Sequence, residues 1–158
     1  MTSSLRPSPT WQSSTSFWAR VCIHPAPSDR RGAARSAYGD YAEAAVVSIR
    51  QRLRQWIDAD ASVVVWGGTG KAAAFMNRIG MVSGFRVVDS DERKMGGWVP
   101  GVGLPIEDTA VLHQGPPPVI VVPSRWRVAD VAAEIQSMSI EHRGIFTEEN
   151  GSLVEVSG

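Results

Sequence analysis

Five consecutive residues, Gly67-Gly68-Thr69-Gly70-Lys71, carry the chemistry of anion binding. A glycine turn that leads into a helix gathers unpaired backbone N–H groups at one point, and the helix dipole adds positive potential there. Glycine also lets the main chain approach a phosphate closely and take up positive φ. The run Gly68-Thr69-Gly70-Lys71-Ala72-Ala73 reads G-x-G-x-x-A, a variant of the dinucleotide fingerprint; the G-x-x-x-x-G-K-[ST] spacing of a P-loop is absent. Lys71 would hold a phosphate as a point charge from the first turn of that helix, against the alternative of a solvated surface lysine. Asp89 lies 19 residues after Gly70, where dinucleotide folds place an acid against a ribose hydroxyl. The competing account of the glycines is structural: they would only let a helix pack tightly on a strand.

Other candidates cluster around this motif. Arg93 and Lys94 flank a glycine-rich loop read as mobile, within reach of a pyrophosphate. Trp98 and Trp126 occupy loops expected at the carboxyl ends of strands, where open α/β sheets bind ligands and where an indole can stack on a base or a sugar. Ser124-Arg125-Trp126-Arg127 follows a strand-like run, which makes Arg125 and Arg127 candidate anion contacts. Glu141, Glu148 and Glu149 read as a solvated acidic surface. His24, His113 and His142 share no metal-ligand spacing, so no metal site is expected, and no Ser-His-Asp or Cys-His arrangement is suggested.

The elements that must position these residues follow from periodicity. Tyr41, Ala44, Ala45, Ile49, Leu53, Trp56 and Ile57 recur at spacings of three and four, which predicts an amphipathic helix over 38–58 with Arg50, Arg52 and Arg54 on its outer face. Val63 to Trp66 is an unalternating β-branched run, the signature of a strand buried on both faces. A helix is expected from Lys71 to Ile79, stopped by Gly80, then a strand at Phe85–Val88. A Gly/Pro-rich loop spans 90–105, and Ile106–Leu112 is expected to be a short helix or turn. Val119–Val122 is a third strand, Val128–Met138 a helix, Gly144–Phe146 a brief fourth strand, and Leu153–Val156 an optional edge strand. Alternating strands and helices predict a small Rossmann-like α/β domain with a mostly parallel sheet of four to five strands flanked by helices.

Composition sets the outer bounds. At 158 residues, 43% hydrophobic and 20% charged, the chain suits one ordinary domain with its own core. A formal net charge of zero gives no overall pull toward nucleic acid or an anionic membrane, and neither is expected as a partner. Residues 1–36 hold five arginines and one acid, so this stretch carries +4 and the remainder −4. Its Ser, Pro and Arg content predicts a disordered or loosely docked tail, in which Trp18, Val21 and Ile23 could dock as a short strand. The acid-poor opening shares its composition with organelle transit peptides but lacks their amphipathic helix. The lone Cys22 permits no internal disulfide, which fits a reducing cytoplasm, the expected location.

The stretch Val88-Asp89-Ser90-Asp91-Glu92-Arg93-Lys94-Met95-Gly96-Gly97-Trp98-Val99-Pro100-Gly101-Val102-Gly103-Leu104-Pro105-Ile106 sharpens the reading. Taken with Trp66-Gly67-Gly68-Thr69-Gly70-Lys71-Ala72, the Asn77–Gly80 helix end, the strand Val119–Val122, Trp126 and Ala129-Asp130, it resembles the C-terminal domain of nucleotide-sugar C-methyltransferases over roughly residues 38–147. In that family an aromatic-Gly-Ala turn with Lys-Gly precedes Val-Asp-x-Asn-Pro-x-Lys-x-Gly, then Pro-Gly and Pro-Ile. Two departures stand out: Ser90-Asp91-Glu92 replaces the residue followed by Asn-Pro, and Ala72 replaces the glycine after Lys71.

The resemblance implies a Rossmann-like domain that helps hold a nucleotide-linked sugar. S-adenosylmethionine would bind a separate central domain, for which this chain offers no counterpart, and the cysteine-rich zinc domain of the family has none either. The expectation is therefore a stand-alone nucleotide-sugar or nucleotide binding domain, 37–158, acting in biosynthesis with a separate methyltransferase subunit or as a homodimer. Its expected ligand contacts are Gly67, Gly68, Thr69, Gly70, Lys71, Asp89, Lys94, Trp98, Trp126 and Arg127. The alternative is an NAD(P)-dependent oxidoreductase or another small biosynthetic enzyme using the same crevice.

Overall fold

A computed structural model describes residues 27–81 and 83–156, with side chains from residue 37 onward. The chain divides into two units at Ser36/Ala37. The tail expected at 1–36, with Cys22, His24 and the docking residues Trp18, Val21 and Ile23, falls outside the described residues up to position 26. From Pro27 the backbone is helical, and helix α1 runs Pro27–Asp58, eleven residues longer at its start than the periodicity marked.

The second unit, Ala37–Gly158, carries the sheet. After α1 come β1 (Val63–Trp66), α2 (Lys71–Ile79), β2 (Arg86–Asp89) and β3 (Ile106–Asp108). A 3₁₀ turn at Thr109–His113, β4 (Val119–Val122), a second 3₁₀ turn at Arg125–Arg127, α3 (Val128–Ser137), β5 (Gly144–Glu149) and β6 (Ser152–Glu155) complete it. The sheet has six strands in the order β3-β2-β1-β4-β5-β6. All neighbours are parallel except β5 and β6, which pair antiparallel. This is the doubly wound Rossmann order with a reversed edge strand.

The strand β3 corrects one expectation. Ile106–Asp108 pairs in register with Val87–Asp89, and only the residues after it form the short helical turn. Pro105 masked the strand, since a proline before an isolated Ile suggests a turn, whereas here it precedes the first residue of an edge strand, a position that tolerates it.

Two apolar layers cover the sheet. On one face Ile49 and Leu53 of α1 and Phe75, Met76 and Ile79 of α2 pack against Val63, Val65, Val87 and Val121. On the other, Val128, Val131 and Ile135 of α3 cover Val64, Trp66, Val88, Ile120 and Val122. Strand alternation assigns successive residues of β1 to opposite layers, which is why the run carries no polar position. Arg50 does not stay on the outer face: its Nε donates to the carbonyl of Ile79, tying α1 to the end of α2. Glu148 and Glu149 are likewise not free acids, since Arg78 pairs with the first and Arg125, at 2.7 Å, with the second.

Candidate functional site

Because α2 covers one face and α3 the other, the chain leaves β1 and β4 in opposite directions. That divergence opens a crevice at their carboxyl ends, the place where open α/β sheets bind ligands. A cleft of about 190 Å³ occupies it. Gly67, Thr69, Gly70, Lys71, Asp89, Lys94, Trp126 and Arg127, eight of the ten expected contacts, line it together with Trp66, Ala72, Val122, Ser124 and Val131.

The turn after β1 is built by its glycines. Gly67 takes φ 109° and Gly70, at the N-cap of α2, φ 58° and ψ −125°, backbone that side chains other than hydrogen rarely adopt. Helix α2 has no capping side chain and no acid in its first turn. Its positive end therefore meets the cleft with no capping acid of its own. Gly68 has a different task. It is buried, and a Cβ on it would collide with the side chain of Ile106, so it serves strand packing rather than the cleft.

Asp89 holds this turn in place. It is 5% exposed, and its carboxylate accepts from Gly68 N–H at 2.9 Å, from Asp91 N–H at 3.1 Å, and from Lys94 Nζ at 3.1 and 3.3 Å. Lys94 also reaches Asp91 at 3.5 Å. Asp91 is itself held far below the usual carboxylate range, first by its hydrogen bond from the Arg93 guanidinium. Lys71 differs: it is exposed and makes no ion pair among the described residues.

On the opposite wall, Arg127 Nε lies 3.8 Å from Asp130 and its guanidinium 5.7 Å from the Trp126 ring, which is 66% exposed. Trp66, at the end of β1, is 4% exposed, and its indole N–H has no hydrogen-bond partner among the described residues; Arg127 Nε, though ion-paired with Asp130, makes no hydrogen bond either. Leaving a buried donor unpaired costs about 1–3 kcal/mol.

Trp98 and Arg125 stand apart from the cleft. Trp98 bridges Pro105 and is 67% exposed, while Arg125 turns to Glu149. The loop between β2 and β3 is not loose: Gly96 N–H donates to Ile106 O, Ile106 N–H to Gly97 O and Val99 N–H to Leu104 O, and Val99 is buried. Asn77 of α2 latches it, its Nδ2 donating at 2.8 Å to both Ala73 O and Pro100 O. A Cβ at Gly101 would strike the Asn77 amide. The separate Asn and Pro-Gly landmarks thus meet in one contact.

Trp66 carries little signal of a site in the sequence. Its type fits a buried strand, and only its place as the last strand residue before the glycine turn marks it as a wall of the cleft.

A family model described as the C-methyltransferase C-terminal domain matches residues 30–148. The chain belongs to this family. No curated protein matches it. In this C-methyltransferase C-terminal domain, the stretch that carried the resemblance maps onto the cleft floor and the latched loop beside it. No helix among the described residues is long and apolar enough to cross a membrane.

Proposed function

We propose that this domain binds a nucleotide, in the first instance a nucleotide-linked sugar, and holds it for a methyl transfer carried out by a separate methyltransferase domain or subunit. The observation that carries the reading is the cleft at the β1/β4 divergence. The uncapped N-terminus of α2 and Lys71 face it from one wall, and Arg127 with the exposed Trp126 from the other. Positive backbone and side-chain groups suit a diphosphate, and a solvent-facing indole suits a base or sugar ring. The family supports the link to methyl transfer, because its members are domains of C-methyltransferases.

Use of NAD(P) by the same crevice is less well supported. The acid such a site would offer to a ribose is Asp89, and its carboxylate is already engaged by Gly68, Asp91 and Lys94. Isothermal titration with dTDP- and UDP-linked sugars tests the proposal. Saturable binding is expected, and absence of both heat and thermal shift at millimolar ligand would overturn it. A fluorescence change with NADH that NAD competes away would favour the oxidoreductase instead.

A further inference from the structure

We propose that the buried indole N–H of Trp66 is a ligand contact that donates to a phosphate oxygen of the bound diphosphate, with Arg127 Nε as its companion donor. The inference rests on the nucleotide-binding reading above and deepens it by naming the ligand atoms and the donor in the cleft wall that meets them. Trp66 is 4% exposed, stands in the wall of the cleft, and has no acceptor for its nitrogen among the described residues. Arg127 lines the same cleft, and its Nε, 3.8 Å from the Asp130 carboxylate, makes no hydrogen bond among the described residues.

An indole nitrogen is a donor only, so what completes it must be an acceptor. The local potential selects the kind of acceptor. Helix α2 turns its positive end to the cleft, Lys71 and Arg127 line it, and the one carboxylate lining it among the described residues, Asp89, is occupied by Lys94 and by Gly68. A neutral carbonyl would satisfy the indole, but an oxyanion satisfies the indole, the helix end and the cations together. Size narrows the choice further. About 190 Å³ falls short of the roughly 300–1,000 Å³ of sites that enclose a whole ligand. The cleft therefore takes the diphosphate and leaves the sugar, with its reacting carbon, outside for a catalytic partner. The nitrogen is covered in the free protein, so the side chains at the cleft mouth must shift as the ligand enters. Trp126, 66% exposed, and Arg127 on the short 3₁₀ turn are the ones placed to do so.

The test uses the full chain labelled with ¹⁵N and titrated with sodium pyrophosphate and with thymidine diphosphate. Its six tryptophans give six indole N–H signals, and Trp66→Phe assigns the relevant one. Both probes are expected to move that signal downfield, and Trp66→Phe to bind them about tenfold more weakly, the usual loss for a hydrogen bond to a charged group. Replacing Trp66 with β-(3-benzothienyl)alanine keeps the ring shape without the N–H. This variant is expected to melt no lower than the unaltered free protein and to show the same loss of affinity, and it decides the matter where the phenylalanine variant folds poorly. Binding with an unmoved Trp66 signal, or with undiminished affinity in the isostere, overturns this inference and leaves nucleotide binding standing. Failure of both probes and of the nucleotide-sugars to bind the unaltered protein overturns the reading beneath it.

Discussion

At the scale of single residues, Gly68 and Gly70 of the turn separate by what a methyl group would meet. A Cβ at Gly68 runs into Ile106, so Gly68→Ala overpacks the core, and a loss of about 1–3 kcal/mol is expected in urea unfolding. At Gly70 nothing lies within 4 Å, yet the residue sits at φ 58° and ψ −125°. Gly70→Ala is therefore expected to cost about 1–3 kcal/mol through backbone strain alone. Lys71→Ala should do the reverse of both. Its ammonium has no ion-pair partner among the described residues, so the melting temperature should stay within about 1 °C while diphosphate affinity falls. A clear loss of stability in Lys71→Ala would show that the lysine serves the fold. The glycine spacing made the turn legible in the sequence. Which glycine packs and which faces the cleft was not, because that depends on Ile106, 38 residues away on a strand concealed behind Pro105.

At the scale of elements, the loop between β2 and β3 shows what linear reading loses. Its glycines and prolines suggest mobility, but its hydrogen bonds close it into a folded unit against α2, pinned through Asn77. Asn77→Ala removes two N–H donors, one to each carbonyl, and a loss of about 0.5–1.5 kcal/mol per hydrogen bond is expected, together with faster amide exchange across Gly96–Gly103. If exchange stays slow there, the loop is held by its own ladder alone.

The edge of the sheet beside it adds a pH dependence. Glu107 on β3 is paired with Arg86 on β2 through Nε at 3.0 Å, and this hydrogen bond holds the Glu107 carboxyl below its ordinary value and raises Arg86. A carboxyl with a lowered folded value contributes stability above its unfolded value of about 4.3, lost as the pH falls through the lower folded one. Both side chains are partly exposed, so the contribution should stay below about 1 kcal/mol. Urea midpoints at pH 6 and pH 3 should differ less in Glu107→Gln than in the unaltered chain. The hairpin β5–β6 has a clear sequence signal. Asn150-Gly151, at φ 49° and 76°, is the favoured two-residue turn between strands, and it fixes the antiparallel edge.

At the scale of the whole domain, the order β3-β2-β1-β4-β5-β6 puts the glycine turn, Asp89 and the Trp126–Arg127 turn at one end of the sheet, although they are spread over sixty residues of sequence. Alternation of strands and helices was enough to anticipate a parallel sheet, since a right-handed crossover from β1 through α2 and another from β4 through α3 leave few other arrangements. It could not place Trp98 outside the cleft or Trp66 in its wall, because strand register and loop closure decide both.

The assembled site also predicts its own energetics. If the positive end of α2, Lys71 and Arg127 supply the attraction, binding is largely electrostatic and must weaken with ionic strength, as the screening length drops from roughly 10 Å at 0.1 M salt to 3 Å at 1 M. A ligand at a hundred times its dissociation constant should stabilise the domain by about 2.7 kcal/mol, and that increment should shrink as sodium chloride is raised. Thermal shifts with thymidine diphosphate at 0.05 and 0.5 M salt measure it directly. A shift that survives high salt undiminished would mean that stacking on Trp126 outweighs the charged groups, and the diphosphate would then not be what anchors the ligand.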